Sequence, residues 1–382
     1  MGGAIYLIQE EMLMVRHFAR SIAEDYFLPA AKDVDNNQRI PESHVWAMAE
    51  NKLFGTSVPS RYGGGGLSHL NKLIIIEEVA RCCGSTSMLL TNQDMVINPI
   101  VKGGSEEQKI SYLLPLTSGE LIGAFAITEE GLTSDLQSVY TTAEKMGDHY
   151  ILNGKKLFVF NAGKADIFII AASINPTIEK AGITYFIVEK GTPGLTLGRE
   201  VRKMGVKGMS AREIILENVR IHHSQLVGGE GKGFKILKET LNRTRLNVAA
   251  QALGIAQGAY EEVIKYAHKF ARTSRESLRF HNTQLMLAEM ATEIEAARRL
   301  LYYGGEFLDS GSSKAAATAS MAKLFCSNVA MKVTTDAVQM LEGSGYTDDY
   351  PVERMMRDAK ITQIYEGSNL TQKLVIARQV LL

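Results

Sequence analysis

Few residues of this chain stand in patterns that do chemistry unaided. Glu366, between Tyr365 and Gly367 at a predicted helix start, reads by itself as a helix-terminal charge. Arg245, within a long apolar-striped segment, reads by itself as a helix-surface cation. The pair His222-His223 suggests a metal site, but neighbours in an extended segment project to opposite sides, so a satisfied or solvated pair is expected. Cys82, Cys83 and Cys326 are an odd number for a disulfide framework, and adjacent Cys82 and Cys83 read as buried small hydrophobes in a reducing compartment. The run Gly63-Gly64-Gly65-Gly66 follows no strand and has no Lys-Ser/Thr after it, so it reads as a surface turn, not a phosphate loop. The sequence contains no dinucleotide fingerprint, P-loop, His-Glu-x-x-His or Cys-x-x-Cys.

The elements that must position such residues fall into three textures. From Ile8 to about Gly119 the pattern is helical: Met12, Val15, Phe18, Ala19 and Ile22 recur at spacings of three and four, as one buried stripe requires. Pro29, Pro41, Pro59 and the glycine run separate the elements. Near Gly123 the texture changes to short β-branched and aromatic segments, 150–154, 166–170 and 184–188, bounded by turn residues such as Gly147-Asp148. These imply an antiparallel β-domain ending near Val227. Long helices then return, with stripes through 246–263, 283–309, 314–341 and 369–381, as in a four-helix bundle. The expected organisation is an α-helical domain over 1–122, a β-domain over 123–228 and a helical bundle over 229–382. With 42 basic and 42 acidic residues in 382, the balanced charge gives no basic surface for a phosphate backbone. Apolar runs such as Leu73–Ile76 and Ile167–Ala172 are far shorter than the roughly 20 residues that span a bilayer. The N-terminus lacks the marks of a signal peptide, so a cytoplasmic protein is expected.

Five motifs in register carry a resemblance that covers nearly the whole chain. The segment Tyr350–Asn369 resembles the C-terminal signature of acyl-CoA dehydrogenases, and Phe125–Asp135 resembles their flavin-domain motif. Lys203–Gly205, Arg245 with Ala249–Gly254, and Gly343–Tyr346 fall in the same order and spacing. The resemblance implies an α+β fold of that type, non-covalent FAD, and oxidation of an acyl-CoA to the trans-2-enoyl thioester. A carboxylate takes the α-proton, and a backbone amide beside the base and a flavin hydroxyl bond the thioester oxygen. Glu366 matches the position of that base. Some relatives carry the base immediately before the arginine matched by Arg245, where this chain has Thr244. Arg245 is expected to tune the base, and Asn242, Ser134, Tyr365 and Gly367 to meet substrate. Phe125, Ile127, Thr128, Ser134, Phe158, Phe160 and Ser368 match positions around the flavin. Gln339 and Gly343 match positions that touch FAD bound mainly to a neighbouring subunit, which implies a homotetramer built as a dimer of dimers.

The chain departs from the family's pattern mainly at the flavin. Phe158-Val159-Phe160 replaces Trp-Ile-Thr, whose threonine hydroxyl bonds the flavin. Phe270–Ser274 replaces Arg-x-x-Phe-Gly, leaving Arg272 or Arg275 to approach the pyrophosphate, and His281 stands where relatives have Gln. Glu129–Asp135 lacks the proline and one glycine of the family's motif. Three readings follow: a short- or medium-chain acyl-CoA dehydrogenase passing electrons to an electron-transferring flavoprotein, an enoyl-CoA reductase similar to the acrylyl-type enzymes of anaerobes, or a flavin-free acyl-CoA-binding scaffold. Gln93, Met95 and Asn98 are candidates to shorten or polarise the acyl pocket, and a short acyl chain is favoured.

Overall fold

A computed structural model describes residues 2–131, 139–175, 182–271 and 277–381. The chain opens with α1 (Gly2–Ile22), a π-helical turn over Ala23–Phe27, α2 (Ala31–Asn36) and α3 (Glu42–Glu50). A helical hairpin follows, α4 (His69–Cys82) and α5 (Gly84–Gly103), and then α6 (Glu106–Thr117). Ser105 caps α6 through a reciprocal bond with Gln108, and Ser68 caps α4 by accepting from Asn71 N–H. The stripe of α1 buries Ala19 and Ile22, but Phe18 is 48% exposed and lies outside the core. The glycine run is a turn, with Gly63 at φ +82°, yet it is not loose: a Cβ on Gly64 would collide with the Val58 carbonyl.

Eight strands form the middle layer: β1 (Gly123–Ala126), β2 (Thr142–Met146), β3 (His149–Phe160), β4 (Ile167–Ser173), β5 (Ile183–Glu189), β6 (Leu195–Glu200), β7 (Ala211–His222) and β8 (Leu226–Val227). They make one sheet in the order β6-β7-β3-β2-β4-β5-β8, with β1 joined to β4. The expected antiparallel domain needs one correction. β1 pairs with β4 in parallel, as does Thr142 at the start of β2, so the sheet is mixed around its central strand. The reason is visible in β4, which is buried along its whole length. Ile167, Ile169 and Ala171 face the core shared with α5 and α6, while Phe168, Ile170 and Ala172 face the opposite core.

The last third is α7 (Gly233–Ala271), α8 (Ser277–Asp309), α9 (Ala315–Tyr346), α10 (Val352–Ile361) and α11 (Asn369–Leu381). Its core is continuous with that of the first helices, so α4 packs directly on α7. Glycine makes this approach possible: a Cβ on Gly254 would strike the Glu77 carbonyl, and one on Gly258 the Arg81 carbonyl. Cys82, Cys83 and Cys326 are buried, and burial pushes the Cys82 thiol up to about 12. The His222-His223 rings lie 4.3 Å apart rather than on opposite sides, because β7 ends at His222 and His223 begins a 3-10 turn. No helix among the described residues is long and apolar enough to cross a membrane.

Because helix interfaces tolerate added volume poorly, Gly254→Ala should destabilise the protein by about 1–3 kcal/mol. The readout is the thermal unfolding midpoint, and an unchanged midpoint would mean that α4 can move aside at no cost.

Candidate active site

Glu366 lies in the loop that joins α10 to α11. Its φ is +54° and that of Gly367 is +84°, so two successive left-handed residues reverse the chain. For glycine this is free; for Glu366 it stores roughly 1–3 kcal/mol of backbone strain. The loop is held by side chains. Gln372 of α11 donates to the carbonyls of Glu366 (3.2 Å) and Gly367 (2.8 Å), and Lys323 of α9 donates to the Gly367 carbonyl and to Asn369 Oδ1, both at 2.9 Å.

So held, Glu366 meets α7. The Thr244 hydroxyl donates to its Oε2 at 2.6 Å. Arg245, the next residue, is buried rather than on the helix surface, and donates a long hydrogen bond to Ser320 Oγ at 3.4 Å. By surface area Glu366 keeps some contact with solvent, but its carboxyl lies deep in the protein, and depth governs its proton affinity. Burial therefore pushes Glu366 above the usual carboxylate range, against the Thr244 hydrogen bond and the charges of Arg245 and Lys323. The same burial lowers the Lys323 ammonium to about 7. Such a carboxyl is poised to accept and return a proton.

Tyr365 points to the other side of the loop. Its hydroxyl bonds the Gln251 side chain of α7 and reaches Thr91 of α5, tying the two helices together. The ring of Phe160 packs edge-on against it at 6.4 Å between centroids, which brings the β-sheet to the Glu366 loop. A bulge in β3 makes this possible. Its pairing with β7 slips between Lys156 and Val159, Phe158 takes φ +52°, and that side chain is left 55% exposed beside the site. Leu157 N–H bonds the Thr128 carbonyl at 2.8 Å, setting the end of β1, with Phe125 and Ile127, next to this bulge. Glu129 locks that corner: its carboxylate takes Lys156 Nζ at 2.5 Å and Thr141 N–H at 2.9 Å. Burial would raise Glu129, but Lys156 and these hydrogen bonds hold it below the ordinary range.

The expected residues thus divide. Glu366, Arg245, Tyr365, Gly367, Ser368 and Phe160 come together, with Phe125, Ile127, Thr128 and Phe158 at the adjoining sheet edge. Ser368 Oγ accepts from Thr371 N–H at the start of α11. Asn242 is half-buried on α7, two residues before Thr244. Gln339 and Gly343 are exposed and lie on α9 about 24 Å or more beyond Lys323, at 1.5 Å per residue. His281 is exposed near the start of α8. Ser134, Arg272 and Arg275 lie outside the described residues. Sequence reasoning missed the hydrogen-bonding roles of Thr244, Gln251 and Gln372, and it missed Lys323. One signal was available: Lys323 falls on the buried stripe Ala319, Ala322, Cys326, Ala330, where a lysine needs a reason.

Comparison with known families settles what this constellation belongs to. Three family models match in sequence order: the N-terminal domain of acyl-CoA dehydrogenase over residues 9–120, the middle domain over 124–219 and the C-terminal domain over 231–381. The chain belongs to the acyl-CoA dehydrogenase family. It is an oxidoreductase of that family, with the family's fold. The short-chain-specific acyl-CoA dehydrogenase of Clostridium acetobutylicum is 40% identical over 98% of each chain. The acryloyl-CoA reductase (NADH) of Anaerotignum propionicum is 39% identical over 98% of this chain and 96% of its own. A chain in the solved structure of the electron transferring flavoprotein of Acidaminococcus fermentans superposes with a TM-score of 0.94 at 40% identity, covering 97% of this chain and 98% of that one.

The Thr244 hydrogen bond favours the ionised form of Glu366, so removing it raises the pKa of that carboxyl. Thr244→Val should move the acid limb of the kcat/KM profile upward by about one to two pH units if Glu366 titrates in it, since hydrogen bonds to charged groups are worth about 1.5–3 kcal/mol. A pH–rate profile that overlays the wild type would mean that this bond does not set the ionisation that the reaction depends on.

Proposed function

We propose that this protein is an FAD-dependent dehydrogenase of short acyl-CoA thioesters, with Glu366 as the base that removes the α-proton. One observation carries the reading: a desolvated carboxyl, held on a strained turn and aimed by Thr244 at 2.6 Å, between two buried cations. An α-proton beside a thioester is only weakly acidic, and a base raised by burial is better matched to it than a carboxylate in water. As the Cα–H bond breaks, charge develops on the thioester oxygen, where one preorganised donor is worth roughly 3 kcal/mol. The proposed donor is the backbone amide beside the base. The product is the trans-2-enoyl thioester.

FAD, when bound, supplies the acceptor for the β-hydride. The residues present fit a flavin ring. Phe125 near the end of β1, with Ile127 and Thr128 just beyond it, lies beside the bulge, and the exposed Phe158 at that bulge gives an apolar shelf that a planar ring would cover. Phe160 presents no hydroxyl to such a ring, and its side chain leans instead on Tyr365. Ser368 retains a hydroxyl at the start of α11. Gln339, Gly343, Arg272 and His281 serve FAD across a subunit boundary in a homotetramer. The exposure of Gln339 and Gly343, and their distance along α9 from their own Glu366 loop, supports that assignment. An electron-transferring flavoprotein is the proposed acceptor, supported by the likeness to a chain in the Acidaminococcus fermentans structure.

A short acyl chain is favoured by the Tyr365–Gln251–Thr91 connection, which fills the seam between α5 and α7 beside the base. Gln93 plays no part in that pocket: its amide bonds Leu116 and Leu121 carbonyls and accepts from Gly123 N–H, stapling α5 to α6 and β1. Met95 is buried in the core against the sheet. The reverse reaction is a second reading, supported by the likeness to an acryloyl-CoA reductase. Glu366 would then return its proton to the α-carbon.

Glu366→Gln should keep fold and flavin but lose reduction of the bound flavin by a short acyl-CoA by orders of magnitude, followed anaerobically by bleaching of the yellow colour. Near-normal bleaching would exclude Glu366 as the base. Phe160→Thr should tighten FAD by about 1 kcal/mol through a regained hydrogen bond. Flavin retention equal to or weaker than wild type on dilution would sink that account of Phe160.

A further inference from the structure

Among the described residues three lysines are completely buried: Lys72, Lys156 and Lys323. A buried ammonium is costly unless paired, and two of the three are. Lys72 pairs with Asp94, and Lys156 pairs with Glu129 at 2.5 Å. Lys323 is different. Its hydrogen bonds go to neutral oxygens, the Gly367 carbonyl and Asn369 Oδ1, each at 2.9 Å. Among the described residues no carboxylate oxygen lies within 4.0 Å of it, and the same holds for buried Arg245. Both cations nevertheless feel one carboxylate, that of Glu366.

We infer that Lys323 is a positioning residue for proton transfer at Glu366: its buried ammonium clamps the Glu366–Gly367 turn and, with Arg245, supplies the positive field in which the carboxylate stays ionised. The inference rests on the reading of Glu366 as the base. The clamp has a clear mechanical purpose. A glutamate at φ +54° does not hold that conformation unaided, and its turn has two carbonyls to satisfy. Gln372 serves both carbonyls, and Lys323 anchors the second while also fixing Asn369, the first residue of α11. Asn369 is fixed in turn by Ser327, one turn along α9 from Lys323, with Nδ2 donating at 3.0 Å. The base is thereby referred to α9, a long rigid helix, and not to its own loop.

The field has a chemical purpose. With Glu366 ionised, the three buried charges sum to one positive. When the Cα–H bond breaks, an O–H bond forms on Glu366 and the electron pair moves onto the thioester, so negative charge leaves the carboxylate but stays within the site. A cation fixed to the protein attracts the charge at either position and need not reorganise during the step. The charged groups that reach Lys323 are Glu366, on the α10–α11 loop, and Arg245, on α7; α11 offers neutral Asn369 and Gln372. Burial, reinforced by Arg245 and opposed by Glu366, brings the ammonium down to about 7. Lys323 therefore carries its charge below that pH and loses it above, and the clamp weakens on the alkaline side.

The test uses the FAD-loaded enzyme and the rate of flavin reduction by a short acyl-CoA as a function of pH, in wild type, Lys323→Met, Lys323→Arg and Glu366→Gln. Lys323→Met should lower the limiting rate by about tenfold or more and move the acid limb up by about one pH unit, because loss of a nearby cation raises a carboxyl pKa. Its flavin content and apparent substrate affinity should be unchanged. Lys323→Arg should restore the acid limb and abolish the alkaline one, since guanidinium does not lose its proton in this range. A wild-type rate and acid limb in Lys323→Met overturns the inference. If that variant does not fold, Lys323→Arg decides: an alkaline limb identical to wild type overturns it equally. Full activity in Glu366→Gln sinks the reading of the base, whereas an inactive Glu366→Gln beside a normal Lys323→Met sinks only the role of Lys323.

Discussion

The structure around Glu366 depends on one constraint: a carboxylate must be kept from water and still be able to ionise. Burial by itself would leave Glu366 protonated and inert as a base. Thr244, Arg245 and Lys323 each push the other way, and they come from two different helices, α7 and α9. Neither helix could be moved by a fraction of a turn without spoiling the balance. The strained turn is the other half of this arrangement. Left-handed backbone at Glu366 aims its carboxyl at Thr244 while Tyr365, one residue earlier, reaches Gln251 on the same helix.

Buried charge elsewhere in the molecule is handled differently, and the contrast is informative. Lys72 with Asp94, and Lys156 with Glu129, are closed pairs whose remaining atoms bond backbone or amide groups. Arg16, Arg298 and Tyr302 converge in the same way on Glu77, joining α1, α4 and α8. Arg16 also pairs with Glu78 and Arg298 with Glu295, so in each of these groups every cation has a carboxylate within ion-pair distance, and the groups fix the relation of one element to another. Around Glu366 the arrangement is open: Lys323 and Arg245 both lie near its carboxylate, and their hydrogen bonds go to neutral oxygens. An unbalanced buried charge is what a reacting site requires, because the reaction itself moves charge through it.

The sheet contributes by what it does at its irregularities. Regular strands alternate their side chains between two cores and offer nothing to a site in front of them. The bulge at Phe158 breaks that alternation, and the loop after β1, locked by Glu129, lies directly across from it. Together they form an apolar edge facing the base loop, which is where a planar ring is proposed to lie.

Much of this was legible in the sequence. The period of apolar residues marked helices at both ends and strands between, since a stripe or an alternation is a local property that burial imposes on any chain. Five motifs in register named Glu366 and Arg245. What the sequence could not decide were contacts between residues far apart in the chain. Thr244 was dismissed for lacking a carboxylate, and its part emerged only when α7 met the loop 122 residues later. Lys323 drew no reading at all, and Gln93 read as a candidate pocket residue although it faces α6 and β1. The sheet's parallel pairings and the burial of Arg245 likewise depend on which elements become neighbours. Sequence determined the local forms and singled out Glu366 as the proposed reacting group. Tertiary structure alone decided its charge environment, because desolvation and Coulomb energy depend on distance through space and not on distance along the chain.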